Sequence, residues 1–319
     1  MEHNIMTQTT STPSREEADA IVESMVAIFS KPIRSPVIGK PTDFGLQYED
    51  VFFPALDGVP LEAWFIPCVG SDKVIICNHP VWCSRTGLPA DREPWRSIGA
   101  AGGNDFAFSF LPDYKILHDA GYNVLAYDLR NLGLSGEANG GIGSIGVLEA
   151  RDVVGSLNYV RSRPDLKGKK IGLFSRCMGG NATFFAMAKY PEQFNDVRCV
   201  VMPQPISMRA AVGVATELAG IPDRLDEIDE RLAMVTSFHL DDMDPSVPAR
   251  TNTSVPTFIY QVHDDVMTRP SDVQNIFDSM PVKEKQLHWI RNTTHRWDGY
   301  LYFQREPKLM LDWFNNYMS

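Results

Sequence analysis

Apolar residues at Ala18, Ile21, Val22, Met25, Val26 and Phe29 recur at helical spacing. They predict a helix from Arg15 to Ser30, with Ser14 as N-cap and Glu17 at the capping-box position, packed on the outside of the main body. Lys31 to Pro41 carries Pro32, Pro36, Gly39 and Pro41 and reads as a connector. Leu46 to Phe53 and Leu61 to Ile66 flank the turn Leu56-Asp57-Gly58-Val59-Pro60, which is a hairpin signal. From Lys73 the pattern becomes strand, helix, strand. Buried-type strands are predicted at Val74 to Cys77, Tyr122 to Tyr127, Lys170 to Phe174, Val197 to Met202, Val255 to Val262 and Gln286 to Ile290. Helices are predicted at Pro112 to Ala120, Val147 to Val160, after Cys177 to about Tyr190, Ser271 to Met280 and Gly299 to Tyr317. Such alternation implies an α/β fold, a mostly parallel central sheet with helices on both faces.

Two segments break the alternation. Trp82 to Phe110 is an aromatic-rich loop, long enough that lining a site is its expected role. Pro203 to Arg250 loosens into a charged stretch, helical at Ile221 to Ala233, and reads as a cap inserted after the sixth core strand. The expected division is therefore a tail and packing helix at 1–45, a core at 46–202 and 251–319, and a cap at 203–250.

A length of 319 residues with 44% hydrophobic content can bury a large core. The net charge of −10 argues against nucleic acid or an anionic membrane as partner. The five cysteines lie in no metal-binding spacing and fit a reduced, cytoplasmic setting. The tail from Met1 to Arg15 lacks a signal-peptide pattern, and no apolar run approaches the roughly 18 residues that span a bilayer. Sequons at Asn181, Asn252 and Asn292 carry no weight without secretion. Gly141-Ile-Gly143-Ser-Ile-Gly146 matches a dinucleotide fingerprint, but it lies far from the preceding strand and lacks the acid-tipped strand that should follow. No cofactor or metal is expected.

The most informative stretch is Ile171-Gly172-Leu173-Phe174-Ser175-Arg176-Cys177-Met178-Gly179-Gly180. A buried strand meets a tight turn and a small-residue helix start, which presents one side chain on a point. Cys177 is that side chain. Ser175 is the alternative, but it would place Leu173 of the strand at a position that needs a small residue.

With this turn, His79-Pro80 after one strand, Asp128-Leu129-Arg130-Asn131-Leu132-Gly133 after another, then Asp265 and His295, the chain from about Val51 resembles the α/β-hydrolase fold. It differs in Ser for the first elbow glycine, Cys for the usual Ser and His-Pro for His-Gly, and the thiol is similar to that of dienelactone hydrolase. The resemblance implies a nucleophile, acid, histidine order of Cys177, Asp265 and His295. Asp264 remains the alternative acid, and His79 and His263 at strand ends remain alternative bases. It implies oxyanion donors at the Met178 amide and at Val81, with Trp82 next, because Pro80 has no N–H. Asp128 and Arg130 are implied to be structural. Trp82, Phe106 and Arg176 are candidate substrate contacts. The expected function is hydrolysis of an ester, thioester or lactone through an acyl-cysteine, or transfer to another acceptor. The partner would be a small, mostly apolar acyl substrate, with a second copy of the chain as a candidate. A hydrolase-fold binding protein without turnover is the competing reading.

Overall fold

The structure, a computed structural model, describes residues 13–101 and 103–319. The polar tail before Pro13, with its His3, lies outside them. In chain order the strands are β1 (Glu49–Pro54), β2 (Pro60–Ile66), β3 (Lys73–Asn78), β4 (Gly87–Leu88), β5 (Phe108–Ser109), β6 (Asn123–Tyr127), β7 (Lys170–Ser175), β8 (Val197–Pro203), β9 (Thr257–Val262) and β10 (Lys285–Ile290). The helices are α1 (Arg15–Ser30), α2 (Trp95–Ala101), α3 (Leu111–Asp119), α4 (Ala150–Ser162), α5 (Met178–Lys189), α6 (Met208–Leu218), α7 (Leu225–Thr236), α8 (Ser246–Thr251), α9 (Pro270–Ser279), α10 (Arg296–Arg305) and α11 (Lys308–Met318). One eight-stranded sheet runs β1-β2-β6-β3-β7-β8-β9-β10. Within this sheet the β1–β2 and β2–β6 pairings are antiparallel. The rest are parallel, as the βα alternation predicts.

β3, β6, β7, β8 and β9 are buried along nearly their whole length, as strands covered on both faces must be. Phe174 of β7 meets Phe303 of α10 and Phe314 of α11 at ring separations of 5.0 and 6.2 Å. These contacts seat the two C-terminal helices on the sheet beneath the turn that follows β7.

Two sequence expectations are corrected and a third is made specific. The expected helix from Gly299 to Tyr317 is two helices, because Pro307 has no N–H and drives Glu306 out of helical conformation (φ −133, ψ 64). The aromatic stretch from Trp82 to Phe110 is not an open loop: it contains α2 and the small ribbon of β4 and β5. Phe108 and Phe110 are core residues, whereas Trp82 and Phe106 are half-buried. Finally, α1, capped by Ser14 and Glu17 as expected, packs against α7 of the insertion, with Arg224 paired to Asp19 at 2.7 Å and Arg231 to Glu23. The insertion between β8 and β9 is helical, and its last helix, α8, lies against α5.

The loop after β6 is held by three ion pairs, one on Asp128 and two on Arg130. Asp128 accepts from the Arg85 guanidinium and the Leu134 amide, and Gly133 allows this because a Cβ there would sit 2.2 Å from the carboxylate. Arg130 is paired with Asp57 and Asp152, both at 2.7 Å. Burial alone would raise the Asp57 carboxyl, but hydrogen bonds from Arg130 and Arg151 outweigh it and bring it from 3.8 to about 2. A carboxyl lowered in the folded state contributes stability above its unfolded value, and that contribution is lost as pH falls through the folded one. The melting temperature is therefore expected to fall between pH 4 and 2, and Asp57→Asn to show a shallower fall there; equal slopes in thermal melts would contradict this.

Candidate functional site

Four strand ends converge on one buried cluster. Cys177 lies between β7 and α5 with φ 50 and ψ −113, a setting sustained only where the surroundings over-determine it. Its amide donates to the Pro203 carbonyl at 2.8 Å, and the preceding amide of Arg176 donates to Asn78 at 3.0 Å. The approach of α5 depends on glycine: a Cβ at Gly179 would sit 2.5 Å from that of Asn78, and one at Gly180 2.7 Å from Met202. Ser175 lies beneath the turn, fully buried, where its hydroxyl accepts from Asn78 at 2.6 Å and from Thr183 at 2.9 Å. It is locked into the body; Cys177 occupies the point of the turn.

The acid side comes from the turn after β9. Asp265 is buried and accepts from Gln261 at 2.9 Å and from the Met267 amide at 2.9 Å. Asp264 faces outward and pairs with His263 at 2.7 Å.

Between Asp265 and Cys177 lies Arg296. Its guanidinium donates to Asp265 at 2.6 Å, to the Gln204 carbonyl, and to the Cys177 sulfur at 3.5 Å, while Nε donates to the Tyr300 hydroxyl at 3.2 Å. Arg296 is 2% exposed. Burial works against its charge, but Tyr300, Asp265 and Cys177 together hold it well above the usual arginine value. Burial first, then the neighbouring thiol, pushes the Tyr300 hydroxyl far up, so it remains neutral despite the guanidinium that donates to it. Gln204, at φ 60, completes the clamp: its side-chain amide donates to the Arg296 carbonyl and accepts from Val262 at 3.0 Å.

His295 is not in this cluster. It is exposed at the N-cap of α10, its amide bonded to Thr293 and its ring 5.9 Å from that of Phe106. The structure thus joins Cys177 to Asp265 but places Arg296, not His295, between them. The helix begins at Arg296, so the adjacent residues His295 and Arg296 face apart. His79 is engaged at both nitrogens, donating to the Pro80 carbonyl at 2.7 Å and accepting from the Leu129 amide at 2.9 Å, and burial holds it below the usual histidine range.

The Met178 amide is at the first position of α5, where helical amides have no intrahelical partner. Val81 lies in the turn from Pro80 to Cys83, whose third residue, Trp82, has φ 62. Phe106 touches both His295 and Trp297. Arg176 departs from expectation: it is fully buried, paired with Asp113 and stacked between Phe110 and Phe174, so it faces no open pocket.

Sequence reasoning missed Arg296, Gln204 and Tyr300. Gln204 had one signal, its position just past a strand end. Arg296 and Tyr300 had none beyond their closeness to His295.

No family model matches the chain. It is 28% identical over 164 residues to an uncharacterized protein, YfhR, of Escherichia coli O157:H7, covering 51% of this chain and 49% of that one. With the YfhR protein of strain K12 the identity is 31% over 132 residues, 41% of this chain and 39% of that one. The chain therefore spans about half, or less, of the length of these curated relatives. It is 25% identical over 256 residues to a polyketide transferase of Gibberella fujikuroi, covering 75% of this chain and 69% of that one. Among solved structures, an esterase of Pyrococcus furiosus superposes with a TM-score of 0.66 at 20% identity, over 91% of this chain and 99% of that one. A dienelactone hydrolase of Anabaena variabilis gives 0.51 at 18%, over 86% and 99%. The chain has the α/β-hydrolase fold. On an α/β-hydrolase fold the turn after β7, the turn after β9 and the segment after β10 meet at one end of the sheet. Here those positions hold Cys177, Asp265 and the His295-Arg296 pair.

Gly299 holds the clamp in register, because a Cβ there would sit 2.1 Å from the Gln204 amide nitrogen. Gly299→Ala is expected to cost about 1–3 kcal/mol in denaturant unfolding, as overpacking does. An unchanged midpoint would show that Gln204 is free to move.

Proposed function

We propose that the chain hydrolyses an ester, thioester or lactone through an acyl intermediate on Cys177. The observation that carries this reading is the thiol on a strained turn at the start of α5, beside the buried Asp265 cluster. Cys177 attacks the carbonyl carbon, and the Met178 and Val81 amides receive the developing oxyanion. The leaving group departs with a proton, and water resolves the acyl-enzyme.

This cycle needs a group that can take and return a proton, and an arginine cannot. His295 is the base in our reading, oriented by Asp265, because it is one residue from the position Arg296 fills. The other histidines near strand ends are committed: His79 at both nitrogens, His263 to Asp264. Trp82 and Phe106 would line an apolar acyl site, with the helical insertion as its cap.

The polyketide transferase relative favours a second reading, in which an acceptor other than water takes the acyl group from Cys177. Both readings share the acylation step.

The test is turnover of p-nitrophenyl esters and acyl thioesters by purified variants. Cys177→Ala is expected to lower kcat by about a thousandfold or more, and Asp265→Asn by about a hundredfold or more, with folding monitored by circular dichroism. Wild-type turnover in folded Cys177→Ala would sink the proposal.

A further inference from the structure

We propose that Arg296 is a latch on the Cys177 site. The form described here is the resting one, and the working form arises when the first turn of α10 rotates so that His295 takes the position between Asp265 and Cys177. This inference rests on the reading of Cys177 as nucleophile and adds the regulation of that same site.

The geometry has three parts. First, the two residues that would exchange are adjacent, one the N-cap of α10 and the other its first residue. Successive helical positions point about 100° apart, so an adjustment of one residue swaps an outward side chain for an inward one. Second, the inward position holds a residue that blocks turnover. Arg296 covers the sulfur at 3.5 Å and occupies the Asp265 oxygen that an imidazole would need. Third, the outward position suits a guanidinium, because His295 now lies against the half-buried Phe106 ring, whose face attracts a cation.

The turn leading into α10 is held by local bonds and by three tertiary ones, in which the Thr294 carbonyl accepts from the Val266 amide at 3.2 Å, the Trp297 amide donates to Asn104 at 2.9 Å and the Arg296 carbonyl accepts from Gln204; these must exchange when the latch opens. The Thr293 hydroxyl receives the His295 amide at 3.1 Å and donates to Asp298 at 2.6 Å, and Asn292 before it sits at φ 66. Gln204 is the catch, gripping Arg296 by its backbone carbonyl and its side-chain amide. An acyl substrate needs the sulfur free, so it binds the unlatched form and shifts the population toward it. A ligand moves such an equilibrium only through its differing affinity for the two forms.

The experiment compares wild type, Arg296→Gln, Arg296→Gln with His295→Gln, and the exchange variant His295→Arg with Arg296→His. The readout is p-nitrophenyl ester turnover below saturation, with each protein's thermal melt as control. If the latch exists, Arg296→Gln raises turnover by about tenfold or more, since the competent fraction sets the apparent rate, and the added His295→Gln abolishes the gain. The exchange variant, whose imidazole starts inside, is at least as fast as wild type. If Arg296→Gln melts below the assay temperature, the exchange variant alone decides. Slower turnover in the exchange variant, or a slower Arg296→Gln indifferent to His295, overturns the latch and makes Arg296 a participant in the chemistry. Failure of the hydrolase reading is distinguishable, because turnover would then be absent from the wild type or would survive Cys177→Ala.

Discussion

The site depends on one buried cation. The Arg296 guanidinium is withdrawn from water and tolerated there only because Asp265, the Gln204 carbonyl, Tyr300 and the Cys177 sulfur surround it. Removing one member of a buried pair typically costs about 3–5 kcal/mol, because the other charge is left uncompensated. The cluster is therefore interdependent. Asp265 is partnered by Arg296, and that pair ties the first turn of α10 to the turn after β9.

The thiol depends on a second constraint, the approach of α5 to the sheet. Glycines at 179 and 180 admit the ends of β3 and β8, and the Pro203 carbonyl fixes the Cys177 amide. The strained φ of Cys177 follows from contacts on both sides of the turn. Below it the Ser175 hydroxyl accepts from the Asn78 side-chain amide and the Thr183 hydroxyl, which fixes it in the body while the Cys177 side chain stands at the point of the turn.

Much of this was legible in the residues. Continuous apolar runs at Val74 to Cys77 and Ile171 to Phe174 gave the buried strands, and the small residues around Cys177 gave the turn. Asp265 stood out because it follows a strand, although its inward aim over Asp264 is a tertiary outcome. The start of α10 was not legible. His295 and Arg296 are both polar, and which one faces inward depends on Gln204 and Gly299 meeting in space. Arg176 misled because its neighbour is the nucleophile candidate, whereas Phe110, Phe174 and Asp113 draw its side chain into the core. Pro307, by contrast, is a local signal in the sequence that marks the break between α10 and α11.

The central claim is that Cys177 carries the acyl group, and mass spectrometry of the protein quenched in acid after mixing with an activated ester tests it most directly. The account predicts an acyl mass increment on the peptide containing Cys177 that disappears when hydroxylamine is added. An increment located on Ser175 or on another cysteine, with the Cys177 peptide unmodified while ester is being turned over, would contradict it.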